Sequence, residues 1–158
     1  MNVQQLTNAM KDSISEIFET MFFMPLEFEE GKAIEDLEKS IDEPMICAQI
    51  DFSGPFKGAL AVMLPRGLAR ELSANFLGED EGAVTEEIVE GTIKEILNML
   101  AGKMLSFYDA NLVFDLAIPE TAEVSEIKKG VSAGEGRGFE FFISTPDNNF
   151  CTKLTVKS

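Results

Sequence analysis

Histidine and tryptophan are absent from this 158-residue sequence, and cysteine occurs only at Cys47 and Cys151. Without histidine the chain lacks the commonest general base of enzymes, and two distant cysteines form no ligand set of the zinc-binding kind. We therefore expect no metal site on this chain. We interpret both cysteines as reduced structural thiols, because nothing else in the sequence indicates an oxidising compartment. Any chemistry has to come from carboxylates, amides or hydroxyl groups.

Basic residues are scarce as well, since 13 Lys and Arg stand against 28 Asp and Glu and give a formal net charge of -15 at pH 7. A surface of this charge repels a phosphate backbone and an anionic membrane leaflet, so we expect neither nucleic acid nor a membrane as partner. The sequence shows no signal-peptide pattern and no apolar run of membrane-spanning length. These absences predict a cytoplasmic protein.

The composition is that of a folded chain, with 45% hydrophobic and 26% charged residues. A chain of this length buries enough apolar surface to fold without disulfides or metals. We expect a single domain over residues 1–158.

Apolar residues recur with helical spacing in three segments, which we predict to be helices: residues 3–24, 65–77 and 84 to about 107. Alternation of apolar and polar residues predicts strands over residues 44–54, 56–64, 112–119, 139–146 and 149–157. Turn residues at Gly54-Pro55 and Pro146-Asp147-Asn148 join the first two and the last two strands into antiparallel hairpins. Residues 29–43 are interpreted as a polar connection, and residues 128–138 as a loop rich in glycine and charge.

A weak internal repeat divides the chain into two halves. SISEIFETMF in the first helix is similar to GTIKEILNML in the third, which aligns Glu16 with Glu95 and Glu19 with Asn98. KGALAVMLP is similar to GFEFFISTP at nearly the same offset. The sequence therefore predicts an α+β fold of two pseudo-symmetric helix-strand-strand halves, with an antiparallel-rich sheet packed against long helices.

One stripe of the third helix carries the candidate site. At about 100° per residue, Gly91, Glu95, Asn98 and Gly102 fall within about 60° of each other, opposite the apolar positions. A merely solvated helix face explains the polar residues. It does not explain the two glycines, each of which costs about 1 kcal/mol relative to alanine inside a helix. The glycines are expected to let another protein approach the backbone closely.

The segment EILNMLAGK, with Ile118-Pro119 some twenty residues downstream, resembles the active helix of the CheC/CheX/FliY chemotaxis phosphatases. The resemblance extends to the repeated halves and so covers most of the chain. The family motif is an acidic residue or serine, three residues, Glu, two residues, Asn and a downstream Pro. Glu95, Asn98 and Pro119 match it, whereas Gly91 stands where the family has Asp or Ser.

The first helix departs from the motif in a different way. Asp12 and Glu16 fit, but Glu19 stands in the place of the asparagine. The resemblance therefore implies one site per chain, as in CheX, rather than two as in CheC.

The resemblance implies hydrolysis of the phospho-aspartate on a CheY-type receiver domain. A neutral amide can both donate to and accept from water, so we assign Asn98 to orienting the attacking water. The resemblance assigns Glu95 to docking the active-site lysine of the receiver, and we expect Gly91, Gly102 and Pro119 to contact the partner. No cofactor is expected on this chain, and Mg²⁺ would be held by carboxylates of the receiver.

Two other functions stay open. The chain could be a non-catalytic module that binds a receiver domain or resembles a flagellar-switch adaptor, or it could be a purely structural homodimer. The resemblance also indicates a homodimer joined through its sheets. The second strand places Ala59, Ala61 and Met63 on its less apolar face, so we expect that face to be covered by helices or by a second chain.

Overall fold

The computed structural model describes residues 1–129 and 136–157. Most of the loop expected over residues 128–138 lies outside these ranges. The helices are α1 (Val3–Met21), α2 (Ile34–Ser40), α3 (Arg66–Leu77), α4 (Glu86–Tyr108) and α5 (Val124–Lys128). The strands are β1 (Glu27–Glu29), β2 (Met45–Ser53), β3 (Lys57–Pro65), β4 (Asp115–Leu116), β5 (Glu120–Thr121), β6 (Arg137–Ser144) and β7 (Asn149–Lys157).

The predicted helices are present, and their ends follow local rules. The side chain of Asn2 caps α1 by accepting from the backbone N–H of Gln5, and that of Thr85 caps α4 by accepting from Ile88. Helix α3 ends at Gly78, whose φ of 67° is the left-handed conformation that glycine adopts readily. Helix α1 ends three residues earlier than predicted, at Met21.

The strands form one antiparallel sheet in the order β1-β6-β7-β3-β2-β4, with β5 also paired to β2. Both predicted hairpins are present, as the pairs β2–β3 and β6–β7. The two hairpins meet where β3 pairs with β7, for example Leu60 with Leu154. The α+β fold class with an antiparallel sheet and long helices is confirmed.

The predicted repeat is correct in its helices and wrong in its strands. The order β6-β7-β3-β2 is symmetric about its centre, so β2 corresponds to β6 and β3 to β7. The sequence similarity between residues 57–65 and 138–146 instead aligned β3 with β6. Both segments are apolar strands that end near a proline, and this shared composition produced an alignment displaced by one strand.

Helices α1 and α4 cover the first face of the sheet and run in opposite directions. The backbone N–H of Asn2 donates to the Tyr108 hydroxyl (2.9 Å), and the Gln5 amide donates to the Tyr108 carbonyl (2.8 Å). Apolar side chains of both helices, including Ile17 and Ile96, lie in the main core together with α3 and the sheet. Burial of this kind is the main source of stability in a chain of this size.

Two short helices cover part of the second face. Helix α2 lies within the predicted polar connection, and α5 lies almost wholly in residues to which the sequence analysis assigned no element. A second apolar cluster unites α2 and α5 with the sheet, and its members are Ile34, Leu37, Cys47, Ala61, Met63, Ile127, Phe142 and Cys151. Helix α2 was missed because seven residues carry too few apolar positions to show a period. The chain's own helices thus cover Ala61 and Met63, whereas Ala59 stays half-exposed.

Two charged side chains on the strands, the buried Lys153 and the exposed Glu140, hold the two short helices. The Lys153 ammonium group is 6% exposed and donates to the carbonyls of Ile127 (2.9 Å) and Lys128 (3.2 Å) at the end of α5. The Glu140 carboxylate accepts from the backbone N–H of Ile34 (2.8 Å) at the start of α2. Each charge has the sign that stabilises the helix end it meets.

The strand predicted over residues 112–119 is largely wrong. Only Asp115–Leu116 and Glu120–Thr121 pair with β2. Val113 and Ile118 are 80% and 85% exposed, so the apolar alternation does not produce a buried face. The segment lies at the edge of the sheet, where alternation does not require burial on either side.

Both cysteines are buried and free. They lie on β2 and β7 on either side of Met63, so one whole strand separates them. Two strand spacings are about 10 Å, beyond the reach of a disulfide. Burial raises the pKa of the Cys47 and Cys151 thiols to about 12, which keeps both protonated and unreactive at neutral pH.

Candidate functional site on helix α4

The stripe predicted from the sequence lies on the outer side of α4. Gly91, Glu95 and Gly102 are exposed and Asn98 is half-buried. The opposite side of the helix is fully buried through Ile93, Leu97, Leu100 and Met104, each at most 1% exposed. The buried side fixes the helix against the core, and it thereby fixes the direction in which the stripe points.

The side chains of Glu95 and Asn98 are not used by the fold. Within residues 1–129 and 136–157, neither side chain takes part in a hydrogen bond, an ion pair or a ring contact. Residues three or four positions away on a helix are near enough to pair with such groups, yet no pair forms here within the described residues. Here the carboxylate and the amide are both available to another molecule.

Among the described residues, the two glycines of the stripe face open space. A Cβ atom built at Gly91 or Gly102 would meet no heavy atom of these residues within 4 Å outside the adjoining backbone of its own helix. By contrast, a Cβ at Gly58 would lie 2.3 Å from the Thr155 carbonyl oxygen, so glycine is required there by the sheet itself. Open space in front of Gly91 and Gly102 is consistent with a flat surface for a partner.

Pro119 lies in the segment that connects β4 to β5, and it is half-buried. Both of these short strands contact α4. The structure therefore brings the segment that carries Pro119 alongside the helix that carries Glu95 and Asn98. No hydrogen bond joins Pro119 to either side chain within the described part of the chain.

A shallow cleft that the sequence did not indicate adjoins the stripe. Its volume is about 200 Å³, and it separates Gly102 and Ser106 on α4 from Leu112, Phe114 and Leu116. A larger cleft of about 470 Å³ lies on the second face of the sheet, where Lys57 and Ala59 help to line it. Leu116 helps to line both clefts, and of these two the smaller one includes a residue of the stripe, Gly102.

The corresponding stripe of α1 is used differently. The Glu16 carboxylate forms an ion pair with Lys103 of α4 (3.0 Å), and Lys103 also lies over the Phe107 ring. Asp12 and Glu19 are exposed. The sequence could not reveal this pair, because its two members lie on different helices far apart in the chain.

Neither a cluster of metal ligands nor a membrane-spanning helix is present in the part of the chain that the structure describes. Among the described residues, no group of three or more carboxylate or thiol side chains is arranged to hold a metal ion. Over the same residues, no helix combines the length and the apolarity needed to span a membrane.

An antiparallel sheet packed against long helices is the fold of CheC/CheX-like chemotaxis proteins of known structure. A family model described as chemotaxis phosphatase CheX matches residues 46–142, which is more than half of the 158 residues. The chain belongs to the CheX family. The family membership inferred from EILNMLAGK and Pro119 is therefore confirmed, whereas the roles of individual residues stay predictions.

Solved structures of similar proteins have the same fold. A CheC-like superfamily protein from Shewanella sp. PV-4 is 21% identical, with full coverage of both chains and a TM-score of 0.75. The chemotaxis protein CheX from Vibrio vulnificus is 22% identical over 99% of this chain and 100% of its own, with a TM-score of 0.73. No curated protein sequence matches the chain significantly.

A third similar structure contains a partner. It is a CheX-CheY-BeF3-Mg²⁺ complex from Borrelia burgdorferi, 18% identical over 97% of this chain and 98% of that one, with a TM-score of 0.74. At such identities the likeness establishes the fold.

Proposed function

We propose that this protein is a phosphatase that accelerates hydrolysis of the phospho-aspartate on a CheY-type receiver domain. The observation that carries the proposal is the pair of Glu95, which is exposed, and Asn98, which is half-buried, on the outer side of one helix of a CheX-family chain. Neither side chain contacts a partner among the described residues. The complex of a similar CheX with CheY, BeF3 and Mg²⁺ supports a receiver as the partner.

Asn98 is proposed to orient the attacking water. The water oxygen forms a bond to phosphorus as the bond from phosphorus to the aspartate oxygen breaks, which releases the free carboxylate and inorganic phosphate; the proton of the water leaves with the phosphate or with solvent. An acyl phosphate is labile, so positioning a water in line accounts for much of the acceleration. A neutral amide does this without repelling the phosphoryl oxygens.

Glu95 is proposed to dock the active-site lysine of the receiver. A carboxylate that approaches a phosphoryl group is repelled unless it meets a cation. No cation of this chain neutralises Glu95 within the described residues. Its charge is therefore available for a lysine of the partner, and the ion pair would fix the register of α4 in the receiver site.

The remaining assignments follow from this one. Gly91 and Gly102 would let the receiver approach the backbone of α4, and Pro119 would contact it from the adjoining segment. Mg²⁺ would be held by the receiver, and the protein would act in the cytoplasm with its substrate. A homodimer joined through the sheets is part of the same proposal.

The proposal is tested by the lifetime of phosphorylated receivers. A panel of purified CheY-type receivers is phosphorylated with a small-molecule phosphodonor, and the decay of phospho-aspartate is followed with and without this protein in catalytic amounts. We expect a shorter lifetime for at least one receiver. Binding without a shorter lifetime would replace the phosphatase by a receiver-binding adaptor, and neither binding nor acceleration would leave a structural role.

A further inference from the structure

Lys94 lies directly before Glu95 and one helical turn before Asn98. Its side chain is half-buried and, in the described part of the chain, forms no hydrogen bond, ion pair or ring contact. Glu90 precedes it by four residues, a spacing at which ion pairs are common, yet no such pair is formed. The positive charge of Lys94 is therefore not neutralised by its own helix.

Lys94 belongs to the same side of α4 as Asn98. Side chains four residues apart differ by about 40° around a helix, so Lys94 and Asn98 lie one above the other. Lys103, the other lysine of α4, is nine residues further on and points about 180° away. Its ion pair with Glu16 shows that it faces α1. Lys94 thus borders Asn98 on the flank away from α1.

This position matters because the chain is strongly acidic. The net charge is -15, and α4 itself carries carboxylates at Glu86, Glu87, Glu90 and Glu95. A phosphorylated receiver presents a phosphoryl group bearing negative charge, so the two surfaces repel each other as they approach. A cation beside Asn98 reduces this repulsion at the place where the phosphoryl oxygens must arrive.

We propose that Lys94 contacts the phosphoryl oxygens of the bound receiver and thereby favours its phosphorylated form over its unphosphorylated form. This inference rests on the proposed function and adds a determinant of substrate choice to it. Lys94 and Glu95 then present neighbouring charges of opposite sign, one to the phosphoryl group and one to the receiver lysine. A receiver turned the wrong way would bring like charges together.

The test compares Lys94→Gln with Lys94→Arg and with Lys39→Gln. Lys39 lies on α2 over the second face of the sheet and pairs with Glu35 (3.4 Å), so Lys39→Gln removes the same charge far from the stripe. For each protein, kcat and KM are measured with phosphorylated receiver, and affinity is measured for the receiver with and without BeF3 and Mg²⁺. We expect Lys94→Gln to raise KM about fivefold with little change in kcat, because a contact with the phosphoryl oxygens that is equally strong in the bound state and in the transition state contributes to binding alone.

Two comparisons make the outcome decisive. The affinity of Lys94→Gln should fall for the receiver carrying BeF3 and Mg²⁺ and stay unchanged for the untreated receiver, while Lys94→Arg retains the wild-type values. Equal losses for both receiver forms, equal KM values in Lys94→Gln and Lys39→Gln, or an Arg variant as impaired as the Gln variant would overturn the proposal. Failure of the proposed function looks different, because the wild-type protein itself would then not shorten the lifetime of any phosphorylated receiver.

Discussion

Helices α1 and α4 are related by the internal repeat, but the polar residues on their outward stripes differ in whether another side chain of the protein binds them. On α1 the repeated glutamate, Glu16, is bound to Lys103 and joins the two helices. On α4 its counterpart, Glu95, binds nothing in the described part of the chain. A repeated scaffold can thus use one copy of a polar motif for its own stability and leave the other copy available to a partner. Four predictions probe this division.

The largest effect is expected for Asn98→Ala. Removing the amide that orients the water should reduce receiver dephosphorylation by about 100-fold or more, the range found when one positioned polar group of an active site is lost. The melting temperature should hold or rise, because alanine is the better helix former and Asn98 makes no hydrogen bond in the described structure. The measurements are phospho-receiver decay and thermal unfolding.

A matched control for this variant is Asn75→Ala. Asn75 is exposed near the end of α3, so its replacement removes the same amide away from the stripe. The control should dephosphorylate the receiver at the wild-type rate. Wild-type activity in Asn98→Ala would show that the Asn98 amide does not orient the attacking water.

Glu95 provides the second test, because it separates binding from chemistry. Glu95→Lys should bring two cations together in a partly desolvated interface, which costs several kcal/mol and weakens receiver binding by about 100-fold. Glu95→Gln should be milder. Raising the salt concentration should weaken the wild-type complex more than that of Glu95→Gln, since screening acts on a pair that the Gln variant no longer has.

A charge exchange sharpens this test. A receiver whose active-site lysine is changed to glutamate should partly restore binding of Glu95→Lys in a double-mutant cycle, provided that this receiver still takes BeF3 and Mg²⁺. Equal salt sensitivity of wild type and Glu95→Gln, together with no restoration in the cycle, would return Glu95 to an ordinary solvated helix position.

Gly91 and Gly102 are expected to lower the stability of the protein and to let the receiver approach the backbone of α4. Gly91→Ala and Gly102→Ala should each stabilise the protein by about 1 kcal/mol, because the added Cβ meets open space and alanine favours the helix. Each should also weaken receiver binding several-fold if the partner contacts the backbone there. Denaturant unfolding and affinity measurements check both halves. Stabilisation with unchanged affinity would show that the partner does not approach these positions.

Local patterns in the sequence predicted the larger elements of the fold. Two hairpins and three helices follow from apolar periods of two or about four residues and from end signals such as Gly78. Helices α2 and α5 were missed because they are short and are stabilised from outside, by Glu140 and Lys153 on the sheet. The edge segment around Val113 was misjudged because apolar alternation at a sheet edge does not guarantee burial.

The sequence predicted which residues form the candidate site, but it did not predict which neighbouring side chains contact one another around it. Helical geometry alone placed Glu95, Asn98 and both glycines on one outer stripe, and that is where the structure has them. The ion pair of Glu16 with Lys103 was not predictable, and neither was the lack of a partner for Lys94 among the described residues. Both depend on which side chains meet between separate elements of the fold. Pairing between distant segments leaves no signal in the spacing of one sequence.

The smallest effects are expected on α1, where the repeat has lost its asparagine. Glu16→Ala and Glu19→Ala should change the rate of receiver dephosphorylation by less than about twofold, because neither carboxylate faces the receiver in the proposed complex. Glu16→Ala should still lower the free energy of unfolding, by about 0.2–1 kcal/mol for a partly exposed pair with Lys103, whereas Glu19→Ala should not. Glu19→Asn rebuilds the spacing of Glu and Asn on α1, yet we expect no gain in activity because Glu16 remains bound to Lys103. A clear gain in Glu19→Asn, or a severalfold loss in either well-folded alanine variant, would mean that α1 is a second site and that the two helices share the work.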